Sequence, residues 1–206
     1  MRKKGKNTAI TIKEPKDLQR IANRLKEFNY EAYILWSIGV NTGYRGSDLV
    51  KLTVGDIKRA IATGELIILE EKTENTRKIS FERSVILSNK LLNILSDYVK
   101  EKYDSEYIYW STKGEGVAPF KKNIERGYLG KIFKRAVVEL GISKKAVGTH
   151  TARKTYGYFQ YIEHDKDIHF VQKLFGHSRP DITMDYIGLD DDILQEAAQT
   201  MNKYVY

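Results

Sequence analysis

Residues 174–190 read LFGHSRPDITMDYIGLD. Two short apolar runs flank a polar turn with a proline, the pattern of two short helices joined by a tight connection. His177 stands in that connection, and Tyr186 follows nine residues later near the end of the second run. A tyrosine in this place has two readings. It is an ordinary core side chain, or it is a nucleophile presented beside a histidine. The surrounding sequence decides between them.

Composition narrows the choice. The chain has 206 residues, 41% hydrophobic and 30% charged, which suits one large globular domain, with or without a small appendage. No apolar run approaches the roughly 18 residues that span a bilayer. The basic start MRKKGKN is not followed by the apolar stretch of a signal peptide. The absence of cysteine excludes disulfides, thiolate nucleophiles and cysteine-rich zinc sites. Four scattered histidines speak against a dedicated transition-metal site. The net charge of +8 is spread over RKKGK at the N-terminus, Lys121, Lys122, Arg126, Lys131, Lys134, Arg135, Lys144, Lys145, Arg153 and Lys154. A surface of that kind favours an acidic partner, of which nucleic acid is the commonest.

No repeat or low-complexity linker divides the chain. Residues 1–12 are expected to form a basic, flexible arm ahead of a single domain over 13–206. Pro15 suits a first helical turn, and Leu18, Ile21, Ala22, Leu25 and Phe28 then recur at helical spacing. A second apolar helix is predicted over Ala32–Asn41, stopped by Gly43, with a short helix near Ser47–Leu52. ELIILEE (Glu65–Glu71) and RKISFE (Arg77–Glu82) predict a β-hairpin around a polar ENT. Further helices are predicted over Leu91–Tyr103, Gly130–Leu140, His150–Ile162 with Thr149 as its cap, Ile168–Phe175 and Pro180–Tyr186. Asp190–Asp192 would cap a last helix with Ile193, Leu194, Ala197, Ala198 and Met201 on one face. The expected class is α+β, mostly α-helical, with a small antiparallel β-sheet.

Four places hold polar groups that folding alone does not call for. In TGYRGSDLVKL a glycine stops a helix, Arg45 follows, and Asp48 lies three residues on; the bland reading is a surface ion pair. In the hairpin EEKTENTRK, Lys72 ends a strand, and a lone hairpin lysine is ordinarily a solvated charge. In GTHTARKTYGYF, His150 and Arg153 share a helix face, with Ala152, Thr155, Tyr156, Phe159 and Ile162 turned to the core. The fourth place is the opening stretch. Together these supply two arginines, a lysine, two histidines and a tyrosine. Arginine forks grip phosphate oxygens in a bidentate way. Histidine donates to phosphate or moves a proton near neutral pH. A tyrosine with a pKa of about 10 needs a nearby base or cations to act as a nucleophile. Such a cluster could open a phosphodiester, with fixed positive groups stabilising the charge that a metal ion stabilises elsewhere.

In this order the segments resemble the tyrosine recombinase (phage integrase) family. TGYRGSDL is similar to its first arginine box, HTAR to its H-x-x-R box, and LFGHSRPDITMDYIG to its terminal His…Tyr box, with a hairpin lysine between the first two. The likeness covers roughly residues 32–206. It implies the catalytic-domain fold of these DNA breaking and rejoining enzymes, duplex DNA as partner, a homotetramer on DNA, possible accessory DNA-bending proteins, a cytoplasmic place at the nucleoid, and no cofactor or metal. It implies Tyr186 as the nucleophile that forms a 3′-phosphotyrosyl link. Arg45 and Arg153 hold the scissile phosphate, and His177 is a second phosphate ligand. His150 takes the tyrosine proton, Lys72 protonates the leaving 5′-oxygen, and Asp48 supports the arginine box. Lys78, just past the turn, is the rival of Lys72. Tyr156, Tyr158 and Tyr161 are expected in packing, and His164 and His169 in packing or at the surface. Tyr204 and Tyr206 lie too near the end for a first choice of nucleophile. The last helix closes its own core or docks on a neighbouring protomer.

The chain departs from the family in one respect. Most members carry a helical DNA-clamping domain before the catalytic one, and only about 30 residues precede Ala32 here. A minimal recombinase, of a length like that of the fimbrial-switch invertases, and a catalytic domain cut from a longer integrase both fit. Two other functions remain open: a non-catalytic DNA-binding regulator on this fold, and a type IB topoisomerase-like relaxing activity.

Overall fold

The computed structural model describes residues 9–202, apart from 75–76, 113–119, 121 and 145. Of residues 70–74, 77–81, 190–192, 194–195 and 201 it describes the backbone alone. The basic run at residues 2–6, Lys121, Lys145, Tyr204 and Tyr206 lie outside the described residues, as do the side chains of Lys72 and Lys78. The elements run α1 (Pro15–Phe28), α2 (Tyr30–Thr42), α3 (Gly46–Leu49), α4 (Val54–Thr63), β1 (Glu65–Glu74) and β2 (Arg77–Ile86). They continue with α5 (Asn89–Tyr98), α6 (Arg126–Glu139), α7 (Thr149–Glu163), α8 (Ile168–Phe175), α9 (Pro180–Ile187) and α10 (Asp190–Met201). The expected α+β class with a small antiparallel sheet is observed. None of the described helices is long and apolar enough to cross a membrane.

Helix α2 is the hub. It is apolar nearly all round, so it must be surrounded. Helices α1, α5, α6 and α7 pack about it, with Trp36 edge-on to Phe133 of α6 at 5.1 Å between ring centroids. Gly43 ends it at φ 64°, a left-handed conformation that a side chain would strain. A Cβ there would also lie 2.3 Å from the Tyr156 ring of α7, so the same glycine lets two helices meet. The β1/β2 hairpin is a single antiparallel ladder from Glu65↔Ile86 to Glu74↔Arg77. It is anchored at its base, where Leu66 is buried and the Tyr44 hydroxyl lies 2.5 Å from the Leu66 carbonyl oxygen.

Several boundaries differ from expectation. The helix predicted to reach Tyr103 ends at Tyr98. Glu101 takes φ 60°, which turns the chain, and Tyr103 is left exposed. Helix α4 was not foreseen, although its start carries a reciprocal cap between Thr53 and Asp56. Gly148, not Thr149, caps α7, and its N–H donates to Thr151 Oγ1 at 3.3 Å. Ile162, assigned to the core face of α7, is exposed, since the buried residues of α7 end at Gly157. Leu189, not an aspartate, stands at the N-cap of α10. On α10, Ile193, Ala197 and Ala198 are exposed. Residues 9–12 fall in the stretch expected to be an arm, yet Ile12 is 3% exposed and joins the main core.

Candidate active site

The site lies where α3, α7 and α9 converge. Its scaffold is set by close backbone approaches. A Cβ on Gly46 would fall 2.3 Å from Thr149, so only glycine lets the start of α3 touch the start of α7. That contact brings Arg45, the N-cap of α3, close enough for its charge to act on His150. The carbonyl oxygen of Gly43 accepts from Arg153 Nη1 at 2.5 Å and from Arg83 Nη1 at 3.3 Å. Arg153 Nη2 also reaches the Phe175 carbonyl oxygen at 3.4 Å, and its guanidinium lies 4.4 Å over the Phe175 ring. Arg153 is therefore buried, at 2% exposure, with its fork held by two main-chain segments. A guanidinium fixed in this way loses little entropy when it meets an anion.

Asp48 is buried rather than a surface partner, and accepts from Ser47 Oγ at 3.3 Å. His177, in the turn between α8 and α9, is oriented by a contact of 3.0 Å between its Nδ1 and Thr183 Oγ1. Tyr186 stands on α9 with its ring edge-on to Phe175, His177 and His150, at centroid distances of 5.5, 5.3 and 6.3 Å. Its hydroxyl lies 3.2 Å from His150 Nδ1. In the tautomer with its proton on Nε2, His150 accepts from that phenol. Loss of hydration first, and then the positive fields of Arg126, Arg153, Lys154 and Arg45, hold the His150 pKa below its ordinary value. Both causes favour the neutral ring, the form that can take a proton.

The structure thus brings His150, Arg153, His177 and Tyr186 together, with the charge of Arg45 felt at His150. Lys72 is placed by its backbone alone: it pairs with Ile79 inside β1, not at a strand end, and the turn lies beyond Glu74. Two cations at the site were not singled out in the sequence. Lys154 is 4% exposed, donates to the Ala9 carbonyl oxygen at 2.7 Å, and stands 5.7 Å over the Tyr186 ring. Burial, and then Lys13, push its pKa down. Its signal was its place beside Arg153, one position round the same helix. Arg126 begins α6 and, with Lys131, Lys134, His150, Lys154 and Tyr186, lines an open depression of about 620 Å³. It appeared in the sequence only as one of many positive charges.

Known proteins resemble this chain in sequence and in fold. Residues 11–192 match the Phage integrase family. The chain is 32% identical over 186 residues to the probable integrase/recombinase YoeC of Bacillus subtilis (strain 168), covering 90% of this chain and 93% of that protein. It is 27% identical over 194 residues to the tyrosine recombinase XerC of Caldanaerobacter subterraneus subsp. tengcongensis, covering 91% of this chain but 49% of that one. Among solved structures, the XerH site-specific recombinase bound to difH substrate superposes with a TM-score of 0.63 at 19% identity, over 93% of this chain and 53% of that one.

Proposed function

Since this chain belongs to the phage integrase family of tyrosine site-specific recombinases, we propose that it cuts and rejoins duplex DNA through Tyr186 by way of a covalent 3′-phosphotyrosine. The observation that carries this reading is the 3.2 Å approach of the Tyr186 hydroxyl to His150 Nδ1, beside a buried arginine with a fixed fork. The Tyr186 oxygen attacks the scissile phosphorus while its proton passes to His150. The bond from phosphorus to the 5′-oxygen breaks, and Lys72 supplies the proton to that leaving oxygen. Arg45, Arg153 and His177 hold the non-bridging oxygens as charge grows on them, the role that preorganised donors fill in other acyl- and phosphoryl-transfer sites.

The phosphotyrosine keeps the energy of the broken phosphodiester. Attack by a 5′-hydroxyl of a second duplex then exchanges strands and returns the proton to Tyr186, without ATP and without a metal ion. Duplex DNA as the partner is supported by the basic rim of Arg126, Lys131 and Lys134 next to the nucleophile, and by the bound substrate of the XerH relative. Phosphate contacts of this sort make affinity fall steeply with salt.

The test is covalent trapping on a pool of nicked random-sequence duplexes in a metal-free buffer. The nick lets the short 5′-hydroxyl fragment escape, so an adduct accumulates. A denaturation-resistant protein–DNA band, mapped by mass spectrometry to Tyr186 and abolished by Tyr186→Phe, is the expected result. An adduct on another tyrosine overturns the assignment. Normal DNA binding with no adduct favours a regulator. Relaxation of a single supercoiled duplex, with no need of a second, favours the topoisomerase-like activity.

A further inference from the structure

We infer that the segment Ala9–Lys13 is a positioning strap for the nucleophile helix, with Thr11 as its principal positioning residue; this rests on Tyr186 being the nucleophile. The sequence AITIK alternates small or polar with apolar residues, as an extended segment with two unlike faces does. One face is fastened to the core. Ile12 is buried in the main cluster, and Ile10 packs against it. The Ile10 N–H donates to the Ala146 carbonyl oxygen at 2.9 Å, just ahead of α7, and the Ile12 N–H donates to Thr155 Oγ1 of α7 at 3.0 Å. Lys154, also of α7, completes the attachment by donating to the Ala9 carbonyl oxygen at 2.7 Å.

The other face grips α9. Thr11 Oγ1 donates to the Ile187 carbonyl oxygen at 2.8 Å, and Lys13 Nζ donates to the Gly188 carbonyl oxygen at 3.0 Å. The last carbonyls of a helix have no partner within it and form the negative end of its dipole. A hydroxyl and an ammonium group are therefore well matched to them. Ile187 follows Tyr186 directly. Gly188 carries the left-handed cap of α9 at φ 81°, and a Cβ there would lie 3.3 Å from Thr11 Oγ1. The strap thus ties the end of α9 to α7, the helix that carries His150 and Arg153. It holds the Tyr186 hydroxyl at its distance from His150 without itself touching the reacting atoms.

The decisive substitutions are Thr11→Val, which keeps the shape and removes the donor, and Thr11→Ser, which keeps the donor. Two readouts are needed in the whole chain. The first is amide hydrogen exchange over residues 180–189, compared with residues 30–42 of α2. The second is the rate of Tyr186 adduct formation at saturating nicked DNA, with the DNA dissociation constant measured alongside. Thr11→Val is expected to raise exchange over 180–189 and to slow the adduct rate, each by about fivefold, the worth of one neutral hydrogen bond. Exchange in α2 and DNA affinity should stay unchanged, and Thr11→Ser should restore both readouts. Unaltered exchange over 180–189, an equal rise in α2, or a loss confined to DNA affinity would each overturn the strap. If the wild-type chain forms no Tyr186 adduct, the proposed function fails on its own account, and the exchange measurement still decides whether the strap holds α9.

Discussion

The larger hydrophobic cluster of this molecule gathers residues from α1 to α7 around Trp36 and Phe133, whereas the smaller one consists of Tyr156, Val171, Phe175, Ile187 and Leu189, with Tyr186 packed at its edge. The second has few buried members, and it holds the candidate nucleophile at its edge. Two elements join them. Helix α7 contributes Ala152 to the large cluster and Tyr156 to the small one, and the strap contributes Ile12 to the large cluster while Thr11 grips α9. The candidate site is thus placed at the smaller cluster, with Arg153 held between a carbonyl at the end of α2 and one at the end of α8. Regions with few buried apolar contacts open at lower free energy than the rest of a fold.

That contrast can be broken most severely from the large side. Leu35→Ala in α2 removes a fully buried side chain, and should cost about 2–5 kcal/mol of stability. Against a typical total of about 5–15 kcal/mol, it should lower the unfolding midpoint and the adduct yield together, as followed by urea denaturation. A cost under about 1 kcal/mol would mean that α2 is not the hub.

Gly157→Ala attacks the small side. The new Cβ would lie 2.6 Å from the Phe175 ring and 2.8 Å from Ile187, so α8 and α9 must give way. Overpacking of this kind costs about 1–3 kcal/mol. The expected signature is faster amide exchange over residues 171–189 and slower adduct formation, with residues 30–42 of α2 nearly unaffected. Uniform loss of protection across both clusters would show that they unfold as one unit.

The finest probe is electrostatic. The cation of Arg126 opposes protonation of His150 and so helps to hold its pKa down. A base must be neutral to accept the phenol proton, so activity should fall as pH drops through the His150 pKa. Removing a positive neighbour raises that pKa. Arg126→Ala should therefore move the acid limb of the adduct-rate profile to higher pH, measured at saturating DNA so that weaker binding does not enter. A limb that stays in place, or moves to lower pH, would remove Arg126 from the set of groups that tune His150.

The helices legible in the sequence were those whose apolar spacing matched one buried face, such as α1, or whose ends carried a glycine stop, such as α2 at Gly43 and α8 at Gly176. Helix α4 is less legible although Thr53 and Asp56 announce its start, because only Val54, Ile57 and Ala60 of its apolar residues are fully buried. The end of α5 was overrun because Val99 and Tyr103 continue a helical spacing that the backbone abandons at Glu101. Of the site, the chain order of Arg45, His150, Arg153, His177 and Tyr186 was readable, since each sits in a short box of unusual polar residues. Lys154, Arg126 and Thr11 were not. Each looks like an ordinary surface residue until distant segments are brought against it.

The sequence by itself determined most of the elements, the class and the chemistry on offer, because helical periodicity, glycine stops and the side chains of a motif are local properties. Only the tertiary structure decided that the His150 pKa is lowered, that the Arg153 fork meets the carbonyls of Gly43 and Phe175, and that residues 9–13 meet the end of α9. Those depend on desolvation, summed charge and hydrogen bonds between residues more than a hundred positions apart, such as Thr11 and Ile187. No local pattern encodes such distances; packing does.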